Sequence, residues 1–329
     1  MTMTIRSLVM RRAPSLAAIP RFVQTLPPAY VGSAMLLACA ACARPALVSP
    51  MLLLLILRQA APLGLVTIGQ SLTIRCRSLD LSVGGVVAAV SYLLTSGMLN
   101  VPGPVALLLC VLFGAGVGAL NGWLIVRVRA PSVIVTLAMS MILSGIVIAL
   151  SQYRASGDAP DVLRDFGNMR VAGVPLAVSV WLAALVPAAW FLRRSAFGRL
   201  VDAVGANPRA AELSGLPHLR VIFITHVTSG VTSACGALLL LSFVGVGSVR
   251  LGEDLALNSL AATVLGGVTF GNGRGGMAGP AVAAFMIVFL FNLLTSFGLG
   301  EAGHLMLQGA IVGAAALMYS LRYGAASRS

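Results

Sequence analysis

The chain has 329 residues, of which 58% are hydrophobic and 9% charged, and its mean hydropathy is +0.98. Soluble domains carry about 25% charged residues, so the composition excludes a soluble protein and indicates an integral membrane protein with helical rather than barrel-forming spans. The net charge of +13 is the excess of 22 arginines over nine acidic residues. The chain contains no lysine, which excludes a P-loop lysine, a Schiff-base lysine and a Ser-Lys dyad.

Residues 1–28 contain arginines but too short an apolar core for a signal peptide, so we expect them to form a cytoplasmic N-terminal tail. Apolar runs long enough to cross about 30 Å of hydrocarbon then follow one another. They predict an all-α transmembrane domain over 29–321 with about ten helices, some of them short or broken, and a cytoplasmic C-terminal tail at 322–329. The ten segments are 29–47, 51–73, 82–98, 104–126, 132–151, 174–192, 221–245, 258–272, 279–297 and 304–321.

The distribution of arginine predicts the orientation, because loops on the cytoplasmic side of a membrane protein are enriched in Lys and Arg. With the N-terminus inside, sixteen of the 22 arginines fall on the inner side. Most acidic residues fall on the other side, namely Asp158, Asp161, Asp165, Glu253, Asp254 and Glu301. We therefore expect both termini in the cytoplasm. Spans two to five then begin outside and spans seven to ten begin inside, which is the arrangement of an inverted repeat.

Two loops interrupt the apolar pattern. The outer loop at about 152–173 is polar, and it is interpreted as a plain surface loop in preference to a lid or a contact for an external partner. The cytoplasmic loop at 193–220 is basic and has a helical pattern: a turn at Gly205–Pro208, a short helix beginning at Pro208 and a stop at Ser214–Gly215. Such a helix is either a docking element for a partner or merely an orienting basic loop.

The sequence contains no convincing catalytic or metal site. The five cysteines lie in or beside apolar segments without ligand-spaced histidines, so neither a metal site nor a disulfide framework is indicated. His226 with Ser229 or Ser233 is the one nucleophile–base arrangement to weigh, and nothing like a G-x-S-x-G elbow accompanies it. We expect no catalytic residue and no cofactor.

Several polar residues are candidates for a translocation pathway, and each can equally form a helix-to-helix hydrogen bond. They are Ser82, Asn121, Ser132, Thr136, Asn258 and Asn292, while Asp80 lies near the inner end of the second and third segments. No carboxylate lies clearly in the middle of a span, which disfavours a carboxylate-based ion relay. Sodium sites made of carbonyl and hydroxyl groups stay open. Since the chain has no P-loop, ATP-driven transport would need a separate ATP-hydrolysing partner.

Four stretches occur in one order, and together they are specific although each is weak alone: Gly69-Gln70 with Leu79–Gly84, Asn121-Gly122 with Pro131–Leu137, Phe197–Gly215, and Ala261-Ala262 with Gly266-Gly267 and Gly273–Gly276. Over roughly residues 50–321 the chain resembles the membrane permeases of ribose-type bacterial ABC importers. That family also contains branched-chain amino acid permeases.

The resemblance implies partners and site residues. The partners are a cytoplasmic ABC ATPase, a second permease copy or a paralogue, and a periplasmic solute-binding protein, in a membrane lipid environment and without nucleic acid. It also implies a coupling segment that seats on the ATPase, whose residues are Ala206, Asn207, Pro208, Arg209, Ala210, Ala211, Glu212, Ser214 and Gly215. The stretches at Leu79–Gly84 and Asn121–Leu137 would line or frame the pathway.

The chain departs from the family pattern in two places. Arg77-Ser78 stands where a glycine pair usually precedes the Asp, which adds bulk and charge at a tight turn, with Arg75 nearby. Ala256 stands where a Glu usually precedes the Gly-Gly pair. The resulting prediction is an inner-membrane permease subunit of an ATP-driven importer for a monosaccharide or related polyol, working by alternating access. The alternatives are an importer of branched-chain amino acids or nucleosides from the same family, and an ion-driven secondary transporter.

Overall fold

Helices account for most of the regular structure of the chain. The structure is a computed structural model, and it describes residues 27–152, 157–248, 250–270, 273, 275–300, 302–310 and 313. The helices are α1 (Pro28–Ala43), α2 (Pro50–Arg75), α3 (Val83–Thr95), α4 (Gly103–Arg127), α5 (Ser132–Ser151), α6 (Asp161–Asn168), α7 (Leu176–Arg194), α8 (Ala196–Ala206), α9 (Pro208–Leu213), α10 (His218–Val244), α11 (Glu253–Leu265) and α12 (Ala278–Ser296). The structure also contains a 3-10 turn (Pro45–Val48) and two short antiparallel strands, β1 (Arg170–Val171) and β2 (Val174–Pro175).

Six of these helices are long and apolar enough to cross a membrane: α2, α4, α5, α7, α10 and α12. Each of the first nine predicted segments contains a helix, but α1, α3 and α11 have only 13 to 16 residues. Residues 302–310 are helical, and the rest of the tenth predicted segment lies largely outside the described residues. The chain is therefore a helical multi-pass membrane protein, and the count of about ten spans stays a prediction. Residues 1–26 and the tail at 322–329 also lie outside the described part.

Helix α10 lies at the centre and packs against α2, α3 and α4. Its crossing with α4 depends on glycine. A Cβ on Gly114 would lie 2.5 Å from the Gly230 carbonyl oxygen, and one on Gly118 would lie 2.3 Å from the His226 carbonyl oxygen. These glycines let the two backbones approach within van der Waals contact, which is how helices associate in the absence of a hydrophobic driving force.

The ends of the helices gather on two opposite faces. On one face, the end of α2 meets the end of α8 and Gly273. On the other, Ala159 N donates to the Gly245 carbonyl (2.8 Å) and Gly247 N donates to the Gly157 carbonyl (3.0 Å). The ends of α2 and α8 and Gly273, all predicted to be cytoplasmic, therefore lie together, and residues 157–159 lie beside 245–247.

The described part of the outer loop, residues 157–173, contains regular structure that the sequence did not predict. It contains α6 and the β1–β2 hairpin, and α6 is anchored through buried Leu163. Gly167 lies so close to α10 that a Cβ there would be 2.1 Å from the Ser242 carbonyl oxygen. Polar composition indicated an exposed segment, but it could not show that one apolar side chain and one glycine fix α6 to the bundle.

Candidate functional site

The coupling segment, Ala206–Gly215, forms a corner built around α9. The Asn207 side-chain oxygen accepts hydrogen bonds from Arg209 N (3.1 Å) and Ala210 N (3.0 Å), so Asn207 is the N-cap, and Pro208 follows at the first helical position. After Ser214, Gly215 adopts φ +73°, and Leu216 N donates back to the Ala211 carbonyl (3.0 Å). The predicted turn, short helix and stop are all confirmed as local structure.

One side of α9 packs inward and the other is open to solvent. Ala211 is buried, while Arg209 Nη1 and Glu212 Oε2 form an exposed ion pair at 2.8 Å. Leu213, which follows Glu212 directly, is 75% exposed. Ala206, Ala210 and Ser214 lie on the same corner. The open surface of α9 thus combines one apolar side chain with a pair of opposite charges.

Two arginines connect this corner to the end of α2. Arg75 Nη2 forms an ion pair with Asp202 Oδ1, and Arg75 Nε donates to the Gly273 carbonyl (3.4 Å). Arg77 Nε donates to the Gly205 carbonyl (2.8 Å), and its Nη2 donates to the Ala206 carbonyl (2.7 Å). These are the last carbonyls of α8, which lack partners within that helix and carry its negative dipole end. A guanidinium there caps the helix.

The backbones at this junction are in close contact. A Cβ on Gly205 would lie 1.9 Å from the Arg75 carbonyl oxygen and 2.5 Å from Gly273 Cα. Beside them a cleft of about 630 Å³ is lined in part by Arg193, Arg199 and Asp202. The Arg75 side chain is buried at the wall of this cleft, whereas Asp202 is half exposed.

The segment 76–82, here called the polar turn, leads from α2 to α3. Asp80 is buried, and its Oδ1 accepts from Ser82 N (2.9 Å) and from Ser82 Oγ (2.5 Å), forming an Asx turn before α3. Asn121 Nδ2 on α4 donates to Ser82 Oγ (2.9 Å). Asp80 Oδ2 and Asn121 Oδ1 are buried without a partner in the described part of the chain.

Hydroxyl groups on α5 hold the backbone of this turn and of the start of α3. Ser132 Oγ accepts from Leu79 N (3.1 Å), Thr136 Oγ1 from Leu81 N (3.0 Å), and Ser140 Oγ from Gly85 N (3.2 Å). The three acceptors are four residues apart, so they lie on one face of α5. This hydroxyl ladder, Ser132, Thr136 and Ser140, satisfies N–H groups that have no helical partner. Non-helical backbone inside a membrane protein requires such compensation.

The third contact of the polar turn is with α10. A hydrogen bond of 2.7 Å joins Ser78 Oγ and His226 Nε2, and both side chains are buried. Ser233 Oγ donates to the Ser229 carbonyl (2.7 Å), and Ser229 Oγ has no partner among the described residues. His226 thus serves the polar turn rather than either serine of its own helix.

The structure brings together five of the seven residues that the sequence named for a pathway. Asn292 is not among the five, because it lies on α12 and its Nδ2 donates to Gln59 Oε1 (2.9 Å). Asp80, Ser82, Asn121, Ser132 and Thr136 meet around the polar turn, where their described hydrogen bonds are to the protein itself. Asn258 lies apart on α11, and it is buried. Gln70 on α2 is also buried, and neither polar atom of its amide has a partner in the described part.

Sequence reasoning missed several contacts of this site. Arg75 and Arg77 were noticed as added bulk and charge, but their partners Asp202, Gly205 and Ala206 are more than 120 residues away. The signal for Ser140 was available, because it continues the four-residue spacing of Ser132 and Thr136. Leu213 is not among the residues that the sequence named for the coupling segment, because no local pattern distinguishes an exposed leucine from a buried one.

Cys76 stands between the two arginines in the sequence, and its side chain is buried. Burial raises the pKa of the Cys76 thiol to about 12, and the nearby Arg75 charge offsets part of this effect. The thiol is therefore neutral at physiological pH and unreactive. Among the described residues, no group of three or more His, Cys, Asp or Glu side chains is arranged to hold a metal ion.

Comparison with known proteins gives one family and a set of relatives. The family described as branched-chain amino acid transport system, permease component, matches residues 52–316. The autoinducer 2 import system permease protein LsrD of Escherichia coli strain K12 is 29% identical over 260 residues, covering 76% of this chain and 78% of that protein. LsrD of Shigella flexneri is similar to the same extent. No solved structure matches the chain.

Proposed function

The chain belongs to the family of permease components of branched-chain amino acid transport systems, and from this premise we propose that it translocates a monosaccharide or related polyol across the bacterial inner membrane as part of an ATP-driven importer. Transport would proceed by alternating access, in which the pathway opens to one side of the membrane at a time. The observation that carries the ATP-driven part is α9, a capped helix between α8 and α10 with Arg209, Glu212 and Leu213 exposed on its open side.

The partners occupy opposite faces of the permease. A cytoplasmic ABC ATPase binds the coupling segment, so the face that carries α9 is the cytoplasmic one. Both termini and the loop at 193–220 then lie on that side, with the permease domain over 29–321. A periplasmic solute-binding protein docks on the opposite face, where α6 lies, and a second permease copy or a paralogue completes the pathway. ATP hydrolysis belongs to the partner, and the permease acts without catalysis or a cofactor.

The substrate class rests on the relatives and on the Leu79–Gly84 stretch. The relatives are named for the import of autoinducer 2, whereas the family as a whole is named for branched-chain amino acids. The permease is expected to contribute little specificity, because the external binding protein selects the solute. The solute can therefore be identified by measuring which sugar, polyol, autoinducer or amino acid the partner binding protein retains.

The experiment that tests this function is co-purification of the tagged protein under gentle solubilisation, combined with solute uptake. Three versions are compared: the unchanged chain, the Arg209→Ala/Glu212→Ala double variant, and Leu213→Ser. Leu299→Ser is the matched control, since Leu299 is an exposed leucine on the opposite face. An ABC ATPase should co-purify with the unchanged chain and the control, and it should be lost or weakened in both α9 variants.

Two outcomes would contradict the proposal. If no ATPase co-purifies under conditions that preserve known complexes, the protein is not part of an ATP-driven importer. Uptake that survives ATP depletion but collapses with an ionophore would instead identify an ion-driven secondary transporter.

A further inference from the structure

Arg77 combines an uncommon backbone conformation with a specific set of hydrogen bonds. Its φ is +59°, in the left-handed region that favours glycine. In this conformation its guanidinium reaches the carbonyls of Gly205 and Ala206, at 2.8 and 2.7 Å. The second of these residues begins the coupling segment, so one side chain joins the polar turn directly to the element proposed to bind the ATPase.

Arg75, two residues before Arg77, makes a second connection to α8, about one helical turn before Gly205 and Ala206. Its buried guanidinium holds both Asp202, on α8, and the Gly273 carbonyl. Gly205 has no room for a Cβ against the Arg75 carbonyl oxygen and Gly273. The end of α2 and the end of α8 are therefore joined by two side chains and by direct backbone contact. We expect these two helix ends to move together.

On its other side the polar turn is fixed to the interior of the bundle. Ser78 is bonded to His226 on α10, Ser82 to Asn121 on α4, and Leu79 N and Leu81 N to the hydroxyl ladder on α5. A displacement of the coupling segment would therefore displace this turn through Arg75 and Arg77. The turn would then displace α4, α5 and α10 through its hydrogen bonds. Coupling between distant sites is carried by connected networks of this kind when their elements have two arrangements.

We propose that Arg75 and Arg77, the arginine clamp, are positioning residues that transmit movement of the coupling segment to the polar turn and through it to α4, α5 and α10. This inference rests on the proposed function, and it assigns a role to two residues outside the ATPase-binding surface. The clamp predicts variants that bind the ATPase and hydrolyse ATP but transport poorly. A residue that served only docking would lose ATPase binding instead.

The central test is Arg77→Gly in the permease–ATPase complex in proteoliposomes. Glycine suits φ +59° better than arginine does, so the change removes the guanidinium without disfavouring the backbone of the turn. Arg129→Gly is the matched control, because Arg129 also has φ +59° and is exposed, and no hydrogen bond or ion pair joins it to the described residues. Solute uptake per ATP hydrolysed should be about fivefold or more lower in Arg77→Gly than in Arg129→Gly.

Cys76 supplies a readout that does not depend on the solute. With the other four cysteines replaced by alanine, the rate of Cys76 alkylation by N-ethylmaleimide measures how often the turn opens, since the thiol is buried near Arg75. Alkylation should be faster in Arg77→Gly than in Arg129→Gly. A Lys at position 77 retains the charge but not the paired donors, so Arg77→Lys should give an intermediate rate.

A charge exchange tests the second half of the clamp. Arg75→Asp alone should reduce uptake per ATP, and Arg75→Asp with Asp202→Arg should recover part of the loss because the ion pair can form again with reversed charges.

Each outcome distinguishes the clamp from the proposed function. Absence of ATP-driven uptake in the unchanged complex would contradict the proposed function itself. Normal uptake in Arg77→Gly, with Cys76 still protected, would overturn the clamp alone. Loss of ATPase binding in Arg77→Gly would also overturn it, because the arginine would then serve docking.

Discussion

Replacement of Gly114 by alanine should separate α4 from α10 and thereby disturb the polar turn. The new Cβ would lie 2.5 Å from the Gly230 carbonyl oxygen and 2.6 Å from the Ala234 Cβ, against an ordinary contact of about 3.4 Å or more. The nearest obstacle is backbone, so relief requires the helices to move apart by about 1 Å. Gly114, Gly118 and Asn121 share one face of α4, and a shift of this size would stretch the 2.9 Å bond from Asn121 to Ser82 beyond hydrogen-bonding distance.

Gly116 provides the matched control for this change. A Cβ there meets nothing within 4 Å, although Gly116 lies in the same helix only two residues away. Both replacements gain about 1 kcal/mol of helix propensity, but only Gly114→Ala bears an overpacking cost of about 1–3 kcal/mol. The net effect should be neutral or stabilising for Gly116→Ala and destabilising for Gly114→Ala.

The assay is thermal unfolding of the purified protein in detergent, followed by size-exclusion chromatography with fluorescence detection. The melting temperature of Gly114→Ala should fall by about 2 °C or more relative to Gly116→Ala, and uptake should fall with it. Equal melting temperatures for the two variants would refute the reasoning, since they would show that the crossing of α4 and α10 tolerates a Cβ where the structure has no space for one.

Three further predictions concern the coupling segment and the buried polar groups. Asn207→Ala should lower the affinity for the ATPase, and Asn207→Ser should restore part of it, because removing an N-cap costs about 1 kcal/mol and serine also caps a helix. The affinity is measured by co-purification, and equal affinity in the unchanged chain and both variants would contradict the role of the cap. Arg209→Ala/Glu212→Ala should change the melting temperature by less than Gly114→Ala does, since an exposed ion pair contributes about 0–1 kcal/mol; a larger decrease would mean that the pair is structural. The Cys76 thiol loses its proton near pH 9 in the unfolded chain and only near pH 12 in the folded one. Its contribution to the free energy of unfolding is therefore complete below pH 9 and decreases as the pH rises towards 12. The melting temperature of Cys76→Ala should fall less over that range, and an identical fall would contradict the raised pKa.

The sequence predicted elements better than it predicted the contacts between them. Hydropathy located the apolar helices because a run of apolar residues reports directly on the solvent that surrounds it. It located α9 for a similar local reason, since Asn207, Pro208 and Gly215 act on the backbone beside them. These signals require no knowledge of the tertiary structure.

The interior of the site could be predicted only in part. The polar residues Asp80, Ser82, Asn121, Ser132 and Thr136 could be recognised as candidates because polar groups are costly in a membrane. Their partners could not, since a buried hydroxyl can bond to water, solute or any nearby backbone. The arginine clamp is the clearest case: its cationic side chains were visible in the sequence, but their acceptors are mostly backbone carbonyls, which carry no residue-specific pattern.

The hydroxyl ladder limits how the protein can change shape. Three N–H groups at the entrance to α3 depend on three hydroxyls of α5, and sliding either element along the other would leave all three without acceptors at once. Gly85 adds close backbone contact to the same pair of helices, because a Cβ there would lie 2.8 Å from Ser140. We therefore expect α3, the polar turn and α5 to move as a single rigid body, with the hinge of any transport cycle at the boundaries of this unit rather than inside it.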